Sequence, residues 1–294
     1  MEYLIGVTPD DSGRDAMALG SLLCRAFDAT PVLAYVHPRP LTSAGGGDPA
    51  DLDPEYLEVS QRVLADAKVH MELTLDWDDV ETVLGGHKSS GKGLDQLAQE
   101  RSSDAIIIGS APHGAPGRFQ IGSTANQLLH GGHKAVAVAP AGYRETFPDK
   151  IGNVVVAFQS TGDSKRRLQL GATWAERVGA KFSILTIMVR QRMMSGRFGP
   201  SGETLIDQLE RTTEADQRKA LANINYDGEP EYLISISETA RKALNRLDWS
   251  GDEFLLLGSA SGGPVSRVFL GDMTYKLLRA APVPAVILPH HATS

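Results

Sequence analysis

Short apolar runs alternate with longer amphipathic stretches along the whole chain, and this alternation predicts strands separated by helices. In the first half it predicts strands at 3–8, 31–37, 79–85, 105–109 and 135–139, with helices at about 13–27, 53–68, 92–101 and 123–131. The second half repeats the order, with strands near 153–158, 181–188, 230–236, 254–258 and 284–288. Runs such as Ile106-Ile107-Ile108 and Val136-Ala137-Val138 lack polar alternation, as expected of strands buried on both faces of a parallel sheet. The pattern therefore predicts an α/β fold of two doubly wound Rossmann-like units, each a five-stranded parallel sheet flanked by helices.

The two halves match each other at an offset of 149 residues. AIIIGS at 105–110 falls on FLLLGS at 254–259, Arg118 on Arg267, Gly122 on Gly271, and the run ending at Pro140 on the run ending at Pro289. YLIGVT at 3–8 falls on GNVVVA at 152–157, so a single offset without drift is expected from end to end. The boundary is expected in the polar, proline-containing stretch 142–150, giving domains at 1–143 and 150–294. The glycine-rich segment 41–52 and its counterpart 190–202 read as variable surface loops.

The stretch Gly109–Ser123, GSAPHGAPGRFQIGS, links the fourth strand to the next helix. In an open parallel sheet that position lies at the carboxyl edge, where ligands bind. Glycines allow close backbone approach, and a helix start offers unpaired N–H groups to a phosphate, with Ser123 as a candidate N-cap. A glycine-rich loop before a helix is a weak signal alone, because plain turns share it.

Composition narrows the function classes. With 294 residues, 41% hydrophobic and 22% charged, the chain is that of a globular protein with room for two cores. No stretch approaches the roughly 18 apolar residues of a membrane span, and the acid at Glu2 in the first residues argues against a secretory signal; a cytoplasmic setting is expected. A net charge of -7 gives no reason to expect nucleic-acid binding, and the run Lys165-Arg166-Arg167 has no interleaved aromatics. The lone Cys24, in SLLCRAF, reads as a buried small hydrophobe.

The spacing from Gly109 to Gly122-Ser123, after AIII and before TANQLL and AVAVAP, resembles the nucleotide loop G-x2-G-x9-G-[ST] of the universal stress protein family. VTPDDSGRDAMALG at 7–20 is similar to that family's first strand and following helix, and the likeness covers nearly the whole chain twice, as in a tandem member. The resemblance implies an adenine nucleotide (ATP, ADP or AMP) as ligand, with Mg²⁺ accompanying the phosphates. It implies Asp10 beside the adenine, Val36 packed on the base, Gly109 along the ribose and phosphate path, and Gly122, Ser123 and Thr124 holding the phosphates. It implies strand order 3-2-1-4-5 in each half and pairing of the two last strands about a pseudo-twofold axis, an intrachain counterpart of a dimer, with a further homodimer of such chains open. Stress response and unknown protein partners are the functional expectation.

The sequence departs from the family pattern at Pro112, where the second glycine falls; proline has no N–H and a fixed φ. At the 149 offset Asp10 becomes Gln159, the second glycine becomes Ser261, and Ser123 becomes Asp272. A carboxylate at a helix start favours the helix and repels a phosphate, so the second half is expected to be degenerate and mainly structural. The alternative reading is a nucleotide-free interaction protein that kept the fold.

Three motifs read as decoys. GGHKSSGKG at 85–93 nearly spells a Walker A loop, but Gly93 stands where Ser or Thr must reach Mg²⁺, and a surface loop before a helix is expected, with Lys92 near the sheet edge. STGDS at 160–164 reads as a helix start, and HGGH at 130–133 as a helix end with His130 against the dipole, not a metal site. His290 and His291 belong to the tail. No nucleophile, base and orienter fall together, so no dedicated enzyme is expected; slow ATP hydrolysis has only the fold in its favour.

Overall fold

The computed structural model describes residues 1–38, 54–112, 116–159, 164–189, 200–258 and 272–289; at Pro38, at 200–205 and at Asp272 it describes the backbone alone. The loops expected at 41–52 and 190–199, residues 160–163 of STGDS, Ser261, Gly271, His290 and His291 lie outside the described residues.

Among the described residues, ten strands form one continuous sheet. They are β1 (Glu2–Gly6), β2 (Thr30–Pro38), β3 (Glu81–His87), β4 (Ala105–Gly109), β5 (Ala135–Ala139), β6 (Asn153–Ala157), β7 (Lys181–Val189), β8 (Glu231–Ser237), β9 (Glu253–Gly258) and β10 (Ala285–Leu288). Their order is β3-β2-β1-β4-β5-β10-β9-β6-β7-β8, so each half has the expected order 3-2-1-4-5. The last strands meet antiparallel, with Val286 opposite Ala137 at the centre of the ladder.

Helices α1 (Asp11–Phe27), α2 (Pro54–Thr74), α5 (Ser164–Val178) and α6 (Pro200–Leu221) cover one face; α3 (Ser90–Glu100), α4 (Ser123–Leu129), α7 (Ala240–Leu244) and α8 (Asp272–Ala280) cover the other. Ile107 enters the first layer, and Ile106 and Ile108 the second, which is why β4 shows no polar alternation. Both apolar layers run through both halves. Across the seam Phe27 packs on Trp174 with centroids 5.2 Å apart, Arg177 donates to the Phe27 carbonyl at 2.6 Å, and Arg118 donates to that of Ala280 at 3.1 Å.

Several expectations are corrected. The offset drifts: β1 and β2 match β6 and β7 at 151 (Glu2 with Asn153, Thr30 with Lys181), β3 matches β8 at 150, and only β4 and β5 match β9 and β10 at 149. Between the second and third strands, and again between the third and fourth, the second half is shorter by a net one residue, so the offset falls by one each time. The counterpart of Asp10 is therefore Thr161, outside the described residues, and Gln159 matches Thr8. In the stretch 142–150, Tyr143 is buried in a short 3-10 turn (Tyr143–Glu145), and the buried carboxylate of Asp15 on α1 accepts from Gly142 N at 2.8 Å, Arg144 N at 3.0 Å and Arg144 Nη1 at 3.2 Å. Residues 200–202, expected in a loop, begin α6, and α2 continues to Thr74. Cys24 is 1% exposed, and burial pushes its thiol up to about 12, as fits an inert core residue.

At the amino edge of the first half, Arg101 Nη2 lies 2.9 Å from Glu2 Oε2, Arg101 also bridges to Glu81 at 2.8 Å, and Ser103 Oγ donates to Glu2 at 2.6 Å. Burial alone would push the Glu2 carboxyl up, but the Arg101 guanidinium and the Ser103 hydroxyl outweigh it and hold it below its ordinary 4.5. A carboxyl lowered in the folded state stabilises the fold above its unfolded value, and that stability is lost as pH falls through the folded value. Glu2→Gln is therefore expected to melt below the wild type at neutral pH, with the gap closing as pH falls through the lowered folded value of Glu2. A melting gap unchanged across that fall would refute the assignment.

Candidate functional site

At the carboxyl edge of the first half, strand order reverses between β1 and β4, and the crevice there has a cavity of about 360 Å³. That is at the small end of ligand pockets. Asp10, Val36, Gly109, Gly122, Ser123 and Thr124 all line it. They come from the β1–α1 turn, the end of β2, the end of β4 and the start of α4, so four segments distant in sequence converge on one space.

Asp10 is the N-cap of α1. Its Oδ1 accepts from Thr8 Oγ1 at 2.6 Å, Ser12 N at 3.0 Å and Gly13 N at 3.4 Å. Its Oδ2 takes no bond among the described residues, which leaves a second acceptor on a residue fixed by the first. Val36 is buried and, with Leu94 and Ile108, supplies an apolar wall. Gly109 has a reason that needs no ligand: a Cβ there would lie 2.0 Å from the Ser12 carbonyl oxygen, so α1 can approach β4 only over glycine.

The loop after β4 is stitched to itself. Ser110 N donates to Ala139 O at 2.8 Å, Gln120 N to Ser110 Oγ at 2.7 Å, and Ala111 N to Gln120 O at 2.8 Å, while Phe119 anchors it in the core. Pro112 follows the last of these donors and lines the cavity, so its missing N–H breaks no bond of the stitch. His113 and Gly114 lie outside the described residues. The N-cap of α4 is Gly122, not Ser123: Gly122 is extended (φ -81, ψ -178), and its carbonyl accepts from Asn126 N at 2.9 Å. Ser123 thus opens the helix, where its N–H has no partner within the helix.

Among the described residues lining the cavity there is no lysine, arginine or histidine. An anion there would meet backbone N–H groups and hydroxyls but no cationic side chain among the described lining residues.

The Walker-like segment is not a surface loop. α3 begins at Ser90, so Gly91, Lys92 and Gly93 form its first turn, and Lys92 is not among the residues lining the cavity. Gly91 lets α3 close on α4: its N–H donates to Gln127 Oε1 at 3.1 Å, and a Cβ would lie 2.7 Å from the Thr124 carbonyl oxygen. HGGH ends α4 as expected; His130 Nδ1 lies 2.9 Å from Asn126 O, and His133 Nδ1 2.7 Å from Asp95 Oδ2.

Sequence reasoning missed Ser12, Ser90 and Leu94 as lining residues. Leu94 was legible as the apolar position of a helix whose start faces the carboxyl edge. It also missed Arg167, 9% exposed, whose Nη1 would lie 2.5 Å from a Cβ at Gly258, the counterpart of Gly109. In the 151 register Arg167 replaces Ala16, so in the second half a buried guanidinium lies against the end of β9. The signal was present: Arg167 falls on the stripe of Ser164, Leu168, Gly171 and Ala175 that α5 buries. The Asp272 backbone begins α8.

No helix among the described residues is long and apolar enough to cross a membrane, and no group of three or more candidate metal ligands occurs among them. The profile described as "Universal stress protein family" matches residues 3–140. Universal stress protein Rv2319c of Mycobacterium tuberculosis and universal stress protein Mb2346c of Mycobacterium bovis are each 30% identical over 300 residues, covering 98% of this chain and 100% of theirs. A universal stress protein of Archaeoglobus fulgidus shares the fold, with TM-score 0.65 at 15% identity over 99% of this chain and 98% of that one. Identity of 30% sustained over 98% of the chain leads to the conclusion that it belongs to the universal stress protein family.

Proposed function

We propose that the chain binds an adenine nucleotide in the crevice of its first half (domain 1–143) and that binding tunes its contacts with protein partners in a stress response. The second half (150–294) acts mainly as a structural counterpart. The convergence of Asp10, Val36, Gly109, Gly122, Ser123 and Thr124 on one cavity of about 360 Å³ carries this reading. The residues fit the group: the second oxygen of Asp10 suits the adenine amino group, Val36 and Leu94 suit the base, and the start of α4 suits the phosphates. With no cationic side chain in the described lining, Mg²⁺ would arrive with the phosphates rather than on a protein cage. The chain's own residues bind and orient; no bond-breaking step is assigned to them.

Calorimetric titration of the full chain with ATP, ADP and AMP in the presence of Mg²⁺ is expected to give a Kd on the order of 10–100 μM. Gly122→Val adds bulk where a Cβ already meets Ala111 Cβ at 3.0 Å, and is expected to weaken binding about tenfold or more. Asp10→Asn keeps the cap and is expected to erode the preference for adenine over guanine. No heat and no melting shift at about millimolar nucleotide would refute the proposal. The lack of cations in the described lining favours a second reading, a nucleotide-free interaction protein. Nucleotide released from the natively purified chain would contradict it.

A further inference from the structure

The amino edges of the two halves differ in a way that the carboxyl-edge reading does not explain. In the first half α3 runs 11 residues to Glu100, and Arg101 follows it to bridge Glu2 and Glu81. In the second half the counterpart helix α7 has only 5 residues and stops at Leu244. By the strand register Glu81 matches Glu231 and Glu2 matches Asn153, while the position of Arg101 falls at Ser250 or Gly251. The helix turns and the guanidinium are gone, and a polar cavity of about 370 Å³ is present instead.

Glu231, Asp248 and Asp252 line this cavity and form no ion pair among the described residues. Among the described residues Glu231 accepts a hydrogen bond from Ser183 Oγ alone, at 3.3 Å. Glu253 accepts from Ser250 N and Gly251 N at 2.9 Å, which holds the turn that replaces the missing helix. Trp249 forms part of the wall with its indole N–H fixed on the Leu244 carbonyl at 2.9 Å. Of the two lining cations, Arg246 donates Nη1 to the Ile236 carbonyl at 2.7 Å, and Lys181, exposed like Glu231 and Asp248, is an ammonium that cannot match carboxylates in a planar fork. Acids outnumber bases in the lining, and the equivalent place in the same chain holds a guanidinium between two carboxylates.

We propose that the second half binds the guanidinium group of a small molecule at the amino edge of its sheet, in the cavity left by the shortened α7. Carboxylates of Glu231 and Asp252 accept its N–H groups, and the Trp249 ring offers it an apolar, electron-rich wall. The proposal is independent of nucleotide binding at the opposite edge.

Titration of the full chain with n-butylguanidine, followed by calorimetry, is expected to give a Kd on the order of 1 mM, with n-butylamine clearly weaker. Glu231→Gln is expected to weaken binding about tenfold. Ser250→Arg, which ties a guanidinium in cis where the first half has Arg101, is expected to abolish it; Gly251 is unsuitable because its φ is +92. Should Glu231→Gln fail to fold, Asp252→Asn is expected to report the same loss. The proposal is overturned by an absence of heat at about 10 mM n-butylguanidine, by equal binding of the amine, or by affinity that survives Ser250→Arg.

Discussion

Asp15→Ala is expected to destabilise the protein by about 3 kcal/mol, the largest effect of a single surface-distant substitution outside the apolar layers. Asp15 is 2% exposed and accepts three hydrogen bonds, two of them from the backbone N–H groups of Gly142 and Arg144. Alanine would leave those two N–H groups without their acceptor, while the Arg144 guanidinium keeps Asp11 and Glu145, and the connection between the halves would be held less firmly to α1. For a chain of this size the melting temperature should fall by about 5–10 °C. Asp15→Asn keeps one acceptor oxygen and should lose less. A loss under about 2 °C for the alanine variant would show that the connection is held by the buried Tyr143 ring instead.

The first half produced alone, as residues 1–150, is expected to form a dimer with a mass near the 31.5 kDa of the whole chain. Strand β5 has four of its five residues buried, and in the whole chain its free edge is closed by β10. Cut loose, that edge and the ends of both apolar layers meet water, and an antiparallel β5–β5 ladder restores the lost hydrogen bonds. Ala137, the residue opposite Val286, marks the centre. Ala137→Pro removes a ladder N–H and is expected to turn the fragment into a monomer of low solubility. Light scattering reads the mass directly, and a stable, soluble monomer of the unmodified fragment would mean that β10 adds packing but does not protect an edge.

Much of the fold was legible because unalternating apolar runs admit few arrangements. Ile106-Ile107-Ile108 needs cover on both faces, and strands of that kind joined by helices lead to a doubly wound sheet. The drift from 151 to 149 was not legible, since a net change of one residue between two strands alters the periodicity of neither. The shortened α7 was half legible: Asn245, Asp248 and Gly251 are helix breakers, but where a helix stops depends on what it packs against. In the crevice, the glycines at 109 and 122 were readable as points of close approach. What approaches them was not: Gly109 faces α1 backbone and Gly122 faces Ala111. Arg167 was obscured because a basic run reads as solvated surface until the burial phase of α5 is set against it.

The antiparallel meeting of β5 and β10 has a consequence for how such a chain can change over generations. In a dimer of identical subunits, a substitution near the twofold axis is felt twice, once from each side, so a residue that suits one copy must suit its own image. Here the two sides are separate positions of one chain, Val136 against Ile287 and Val138 against Ala285. Each can mutate singly. Carrying both halves on one chain thus frees them from mutual likeness while keeping them permanently paired, and Arg167 in place of Ala16, or a five-residue helix in place of an eleven-residue one, are departures that an obligatory mirror partner would have had to share.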